Sequence, residues 1–297
     1  MSLAAALPDH SAALRCSAAR WVISASDIAA GLALGKSVAA VLVARAGDDG
    51  MRTAGGTPAL WQALRDSAVA RGEIPWISRE SPPRPPMLPN FGLVQAWLMT
   101  PTEITAERPP APPSTSSPQM QQEVAEVQET VDHLTGAQLA IAYKWNDGAG
   151  TYAPPGHWND IAAEHIRDAR MSEVRAARAF ALLNMAMHDA AVGCWGVKFR
   201  YFNPRPVQMD PRIKTVIGLP SFPAYPSGHS TYSASAALVL SYLFPQAAAD
   251  FDAMKEEASI SRLYGGIHYR SDIERGREHG ARIGGYAVRF AQGDGAN

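Results

Sequence analysis

The amino-acid sequence predicts an all-α protein, on three observations. Apolar residues recur at helical spacing in one stretch after another, from residues 26–45 to residues 269–290. No segment offers a convincing series of alternating strands, and no repeat recurs at a fixed period. Prolines and glycines fall between the apolar runs, where helices are expected to stop. At 297 residues the chain suits one large domain or two small ones, with ample length to bury a core.

Taken in order, residues 26–45 are rich in alanine, leucine and valine and read as a first helix, stopped by Gly47 and Gly50. Residues 57–71 read as a second, with Leu60, Leu64 and Val69 on its apolar side. Residues 82–118 hold 11 of the 23 prolines and cannot be continuous helix. Large apolar groups accompany them, Trp76, Phe91, Trp97 and Leu98, which favours a segment laid over a core rather than a free linker. The expected organisation is a stretch of N-terminal helices and Pro-rich wrapping segment over 1–118, followed by a second helical domain over 119–297.

Ser117 and Pro118 supply a cap and a first-turn proline for a helix whose face carries Val124, Val127, Val131 and Leu134. Gly136 closes it. Thr135 and Gln138 resemble a capping box for a helix over 137–145. Residues 146–159 are rich in turn formers and aromatics, and read equally as a rim loop over a pocket or a packed turn. Two further helices are expected over 161–170 and 173–194; His188 and Asp189, near the end of the second, read as a satisfied buried polar pair.

The net charge of −1 predicts no general attraction to nucleic acid or anionic membrane, so an anion site must be local. Cys16 and Cys194 make no disulfide framework and no metal-ligand pattern, so a reducing cytosol is the default. No secretory signal is visible. The most apolar stretch, 28–46, contains Gly31, Gly35 and Lys36, so no charge-free run of about 18 residues exists and no membrane span is expected. These features together predict a soluble protein.

Three C-terminal segments carry chemistry. The first, residues 195–206, places Lys198 and Arg205 with six residues between them. The second is Pro226-Ser227-Gly228-His229, at the mouth of an apolar helix over 232–244. Unpaired N–H groups and the helix dipole favour an anion there, although alone these four residues read as a helix cap. In the third, Gly265-Gly266 should break a helix and leave Arg262 at its end, and His268 should open the next. His268 and Asp272 then share a helix face. A carboxylate taking one imidazole N–H leaves the other nitrogen a free electron pair, as a nucleophile or ligand needs. Lys198, Arg205 and Arg262 supply three cations, Ser227 and the N–H groups near Gly228 neutral donors. Each cation contributes about 4 kcal/mol of attraction to an oxyanion at a partly screened 4 Å.

Lys198-x6-Arg205-Pro206, Pro226-Ser227-Gly228-His229 and Ser261-Arg262-x5-His268-x3-Asp272 together resemble the signature of the type 2 phosphatidic acid phosphatase and vanadium haloperoxidase superfamily, and the aromatic stretch 148–159 resembles its soluble, haloperoxidase-like bacterial members. The resemblance implies a helical bundle with the anion pocket between helices. For a phosphatase it implies that His268 attacks phosphorus and that His229 protonates the leaving oxygen and later activates water. Asp272 would orient His268, and Lys198, Arg205, Ser227, Gly228 and Arg262 would hold the oxygens, with no cofactor. For a haloperoxidase it implies vanadate in the same pocket, with His268 as its protein ligand and hydrogen peroxide plus a halide as reactants.

Trp195 and Phe222, expected as pocket wall, stand as in chloride-oxidising members, whereas residues 264–268 resemble the phosphatase style. The expected function is hydrolysis of a soluble or amphiphilic phosphate monoester through phosphohistidine. The alternative is vanadate-dependent halide oxidation, and the weaker one is non-catalytic anion binding, which would need neither histidine nor Asp272. No zinc pattern is present.

Overall fold

The computed structural model describes residues 24–296, and Cys16 lies outside them. Among the described residues the regular structure is helical, with no strand. The chain divides into two units, residues 1–49 and residues 50–297.

Of the first unit, one helix is described. α1 (Ala25–Asp48) is capped by Ser24, whose side chain accepts from the Asp27 N–H, and it contains no buried residue. Leu34, Val41 and Val43 are each about two-thirds exposed. Its apolar run has a mean hydropathy of 1.7 and is long enough to cross a membrane. The sequence expectation of no span gave Lys36 and the glycines a decisive weight. They do not interrupt the helix, and by length and composition it qualifies as a candidate span.

The second unit opens with α2 (Pro58–Ala70), capped by Thr57, and passes into the Pro-rich stretch, which contains the short α3 (Pro101–Ala106). That stretch is bound to the core by its backbone. The Trp97 and Leu98 N–H groups donate to the buried Asp189 carboxylate at 2.6 and 2.8 Å. Trp76 N–H donates to the Phe202 carbonyl at 2.8 Å and Met87 N–H to the Ser221 carbonyl at 2.7 Å. Gly92 lies so close to Gly196 that a Cβ would stand 2.4 Å from its Cα. Asp189 is thus a satisfied buried acceptor, as expected from the sequence.

The remaining helices are α4 (Pro118–Asp132), α5 (Gly136–Lys144), α6 (Ala153–Asp168), α7 (Glu173–Tyr201), α8 (Pro206–Met209), α9 (Gly228–Leu243), α10 (Ala248–Tyr264) and α11 (Arg270–Gly293). Some boundaries differ from expectation. Gly136 opens α5 rather than closing α4, which already ends at Asp132, before Leu134. α6 starts at Ala153, because Pro154 and Pro155 occupy its first turn, where their missing N–H groups cost nothing. α7 continues past Cys194 to Tyr201, because Gly196 serves the contact with Gly92 and does not end the helix; Phe202, at φ 57°, ends it.

The core lies where α7, α9, α10 and α11 pack together, with Leu182, Leu183, Met187, Leu240, Phe244 and Phe251 among its buried side chains. α11 meets α9 backbone to backbone through Gly276, Gly280 and Gly284, one per turn. A Cβ on Gly280 would stand 2.1 Å from the Thr231 carbonyl oxygen. Gly280→Ala is therefore expected to lower stability by about 1–3 kcal/mol, the usual cost of overpacking, read as a fall in Tm of several degrees.

Candidate active site

The three signature segments meet where the end of α7, the mouth of α9, the end of α10 and the start of α11 converge. α7 delivers Lys198 from its last turn, and its extension beyond Cys194 puts Trp195 and Lys198 on adjacent turns. Ser227 caps α9, its Oγ accepting from the Ser230 N–H at 3.3 Å, and its own N–H donates to the Asp272 carbonyl at 2.9 Å. Gly228 is the first residue of α9, with open contact distances of 3.9 Å around a would-be Cβ. Arg262 sits in the last turn of α10, and Asp272 in the first turn of α11.

His268 is at the centre. Its Nδ1 donates to Asp272 Oδ2 at 2.7 Å, and the Tyr269 N–H donates to the same oxygen at 3.2 Å. Nε2 lies 2.9 Å from Arg205 Nη1, which donates to it. Burial, then Arg205, Lys198 and Arg262, holds the His268 imidazole well below its ordinary value, so the ring is neutral with its electron pair on Nε2. Burial likewise pushes the Asp272 carboxyl up, opposed by Lys198, the Tyr269 N–H and Arg205.

The cations are anchored on carbonyl oxygens. Arg205 donates to the Phe222 and Ile267 carbonyls, and burial pushes it down to about 10. Arg262 donates to the Trp145 and Asn146 carbonyls, and burial pushes it down to about 9, so both guanidinium groups stay charged at neutral pH. Lys198 Nζ donates to the Pro223, Ala224 and Pro226 carbonyls at 2.9, 2.8 and 2.5 Å. Burial pushes its pKa down, but three acceptors call for three N–H donors, which only the ammonium form has. Lys198 therefore fastens the approach to α9 as well as charging the site. Trp195 and Phe222 pack 5.0 Å apart, and Lys198 lies 5.9 and 5.1 Å from their respective ring centroids. The expected wall and cradle are one assembly.

His229, in the first turn of α9, faces the turn that follows α5. Its Nε2 stands 3.6 Å from Asp147 Oδ2. Burial and Arg262 push the imidazole down to about 4, with Asp147 acting against them. Asp147 also accepts from His157 Nδ1, at 3.1 and 3.2 Å to its two oxygens. Burial opposes its charge, yet the contacts with His157 and His229 hold the carboxyl well below the usual range. Sequence reasoning missed both Asp147 and His157. The available signal was the reading of residues 146–159 as a rim loop, which assigns no role to either residue, since no motif links positions ten apart across a turn and a helix start.

Residues 178–295 match the PAP2 superfamily. Over 58 residues, 20% of this chain, the sequence is 43% identical to a non-specific acid phosphatase of Salmonella typhi, and the match covers 23% of that protein. The crystal structure of a bacterial vanadium-dependent iodoperoxidase is similar with a TM-score of 0.67 and 26% identity, over 72% of this chain and 59% of that one. A bacterial vanadium-dependent chloroperoxidase in its holo form shares the fold, with a TM-score of 0.61 and 15% identity over 69% of this chain and 55% of that one. The chain thus spans about a quarter of the curated relative and somewhat over half of the solved ones. Residues 178–295, which hold all three signature segments, belong to the PAP2 superfamily.

Proposed function

We propose that the protein hydrolyses a phosphate monoester through a phosphohistidine on His268. The observation that carries this reading is the His268 ring, with Nδ1 tied to Asp272 and the Nε2 electron pair held among Lys198, Arg205 and Arg262. An entering phosphoryl group takes over the Arg205 N–H that Nε2 now accepts. Attack forms an N–P bond while the P–O bond to the leaving group breaks, and His229 gives that oxygen its proton. Arg205, Arg262, the Ser227 hydroxyl and the N–H groups at the mouth of α9 stabilise the equatorial oxygens. Neutral His229 then takes a proton from water as the water attacks phosphorus. The N–P bond breaks, its electron pair returns to His268, and inorganic phosphate leaves. The identity to an acid phosphatase supports this reading, and the apolar wall of Trp195 and Phe222 suits a small or amphiphilic ester.

The similarity to the iodoperoxidase favours a second reading in the same pocket. A neutral Nε2 among three cations fits vanadate, with His268 as its ligand and the arginines on its oxygens. Bound vanadate would supply the oxidation of a halide by hydrogen peroxide. An assay of the purified protein against a generic phosphomonoester and for peroxide-dependent bromination, with and without orthovanadate, decides between them. Hydrolysis that vanadate inhibits is the expected result; bromination that requires vanadate, without hydrolysis, reverses the order.

Both readings predict that phosphate, vanadate or tungstate raises Tm, by a stabilisation of about 2.7 kcal/mol at a hundredfold excess over Kd. No shift at millimolar anion, with a control ligand working in another protein, would remove the pocket assignment.

A further inference from the structure

We propose that Asp147 and His157 form a positioning pair behind His229, fixing its imidazole and favouring the protonated form that a leaving oxygen needs. This rests on His229 as the proton donor of the reading above. Both residues lie outside the stretch that matches the superfamily.

The turn that carries Asp147 is built at a cost. Its backbone is left-handed, with φ 44°, a conformation unfavourable for a non-glycine residue, least so for Asp and Asn. Its carboxylate is only 4% exposed, so its charge needs partners. Two imidazoles supply them. His157 bonds both oxygens from the first turns of α6, and His229 approaches Oδ2 from the start of α9.

His157 is itself held rigidly. It stacks on Trp145, with ring centroids 4.2 Å apart and planes at 24°, and meets the edge of Tyr152 at 5.3 Å. The carbonyls of Trp145 and Asn146 take Arg262, so three consecutive residues contact both a cradle arginine and the proton donor. A surface turn has no need of such an arrangement, whereas a donor that must keep its place beside a reacting oxygen does.

The charged and titratable groups facing His229 are Asp147 from the turn, Arg262 from α10 and His268 from the start of α11, with His157 behind Asp147. Arg262 disfavours a proton on His229, and Asp147 favours one. Removing the Asp147 charge leaves only the Trp145 backbone to oppose burial and Arg262. The donor form of His229 then becomes scarcer at any given pH.

The test follows the His229 ring by NMR as pH is varied, in the wild-type chain, Asp147→Asn, His157→Ala and His157→Gln, together with kcat on alkyl and nitrophenyl phosphates. Asparagine tolerates the left-handed turn, so Asp147→Asn removes charge and keeps geometry. The expected result is a His229 midpoint lowered by about 1 pH unit in Asp147→Asn and by less in His157→Ala. Alkyl phosphate turnover should fall by about tenfold, nitrophenyl phosphate turnover far less, and KM should stay within about twofold. His157→Gln, whose amide can donate to Asp147, should recover most of the loss. An unmoved midpoint in folded Asp147→Asn and His157→Ala, or equal loss on both esters, overturns the proposal. Should Asp147→Asn fail to fold, the two His157 variants carry the same readout. A lowered midpoint in a protein without phosphatase activity upholds the pair and removes the phosphatase reading alone.

Discussion

His268→Ala is expected to lower phosphate ester turnover by at least about a thousandfold and to abolish any acid-labile phosphoenzyme. The size follows from what the ring supplies. It is 2% exposed, neutral, and tied through Nδ1 to a buried carboxylate, so its electron pair is presented without a desolvation or reorientation step. Lys198, Arg205 and Arg262 can still bind an oxyanion in its absence, but a cation has no electron pair for phosphorus. Alanine also deprives the buried Asp272 carboxylate of a donor, so loss of fold must be separated from loss of chemistry. His268→Gln keeps volume and hydrogen-bonding capacity and should lose the same activity, while tungstate still raises Tm through the remaining cations. Full turnover in either folded variant would remove the covalent mechanism.

Most of the helices were legible because their signals are local. Ser117-Pro118, Thr135 with Gln138, and Ser227 cap the helices they were expected to cap, and Gly265-Gly266 ends α10 beside Arg262. Two of the misplaced boundaries fall at glycines and prolines whose local signal has another meaning in the fold. Gly196 marks a close approach to Gly92, and Pro154-Pro155 mark the first turn of a helix rather than a loop.

The same division holds for the site. Spacing along the chain predicts that His268 and Asp272 share a helix face, and they bond at 2.7 Å. Spacing cannot say that Lys198 spends three donors on carbonyls 25 to 28 residues away, nor that an aspartate in a turn would meet histidines from two different helices. Those pairings exist only once α5, α6, α7 and α9 are packed.

His229→Ala separates the proton donor from the nucleophile. Alkyl phosphates, whose alkoxide leaves only with a proton, should slow by about a hundredfold or more, and nitrophenyl phosphate by less than about tenfold. The pH dependence sharpens the contrast. Burial and Arg262 push His229 down to about 4 in the free protein, so its protonated form is lost as pH rises through that value. Alkyl phosphate turnover in the wild-type chain should therefore be greatest on the acid side and fall as pH rises. A phosphate dianion bound between the arginines moves the midpoint of that fall upward, because a negative neighbour favours imidazolium. In His229→Ala the fall should disappear along with most of the rate. The phosphohistidine should accumulate and be captured by an alkaline quench, since the group that takes a proton from water is gone. Equal loss on alkyl and aryl esters, with the fold intact and the pH dependence unchanged, would remove His229 as the general acid and leave His268 as nucleophile with a donor still to be found.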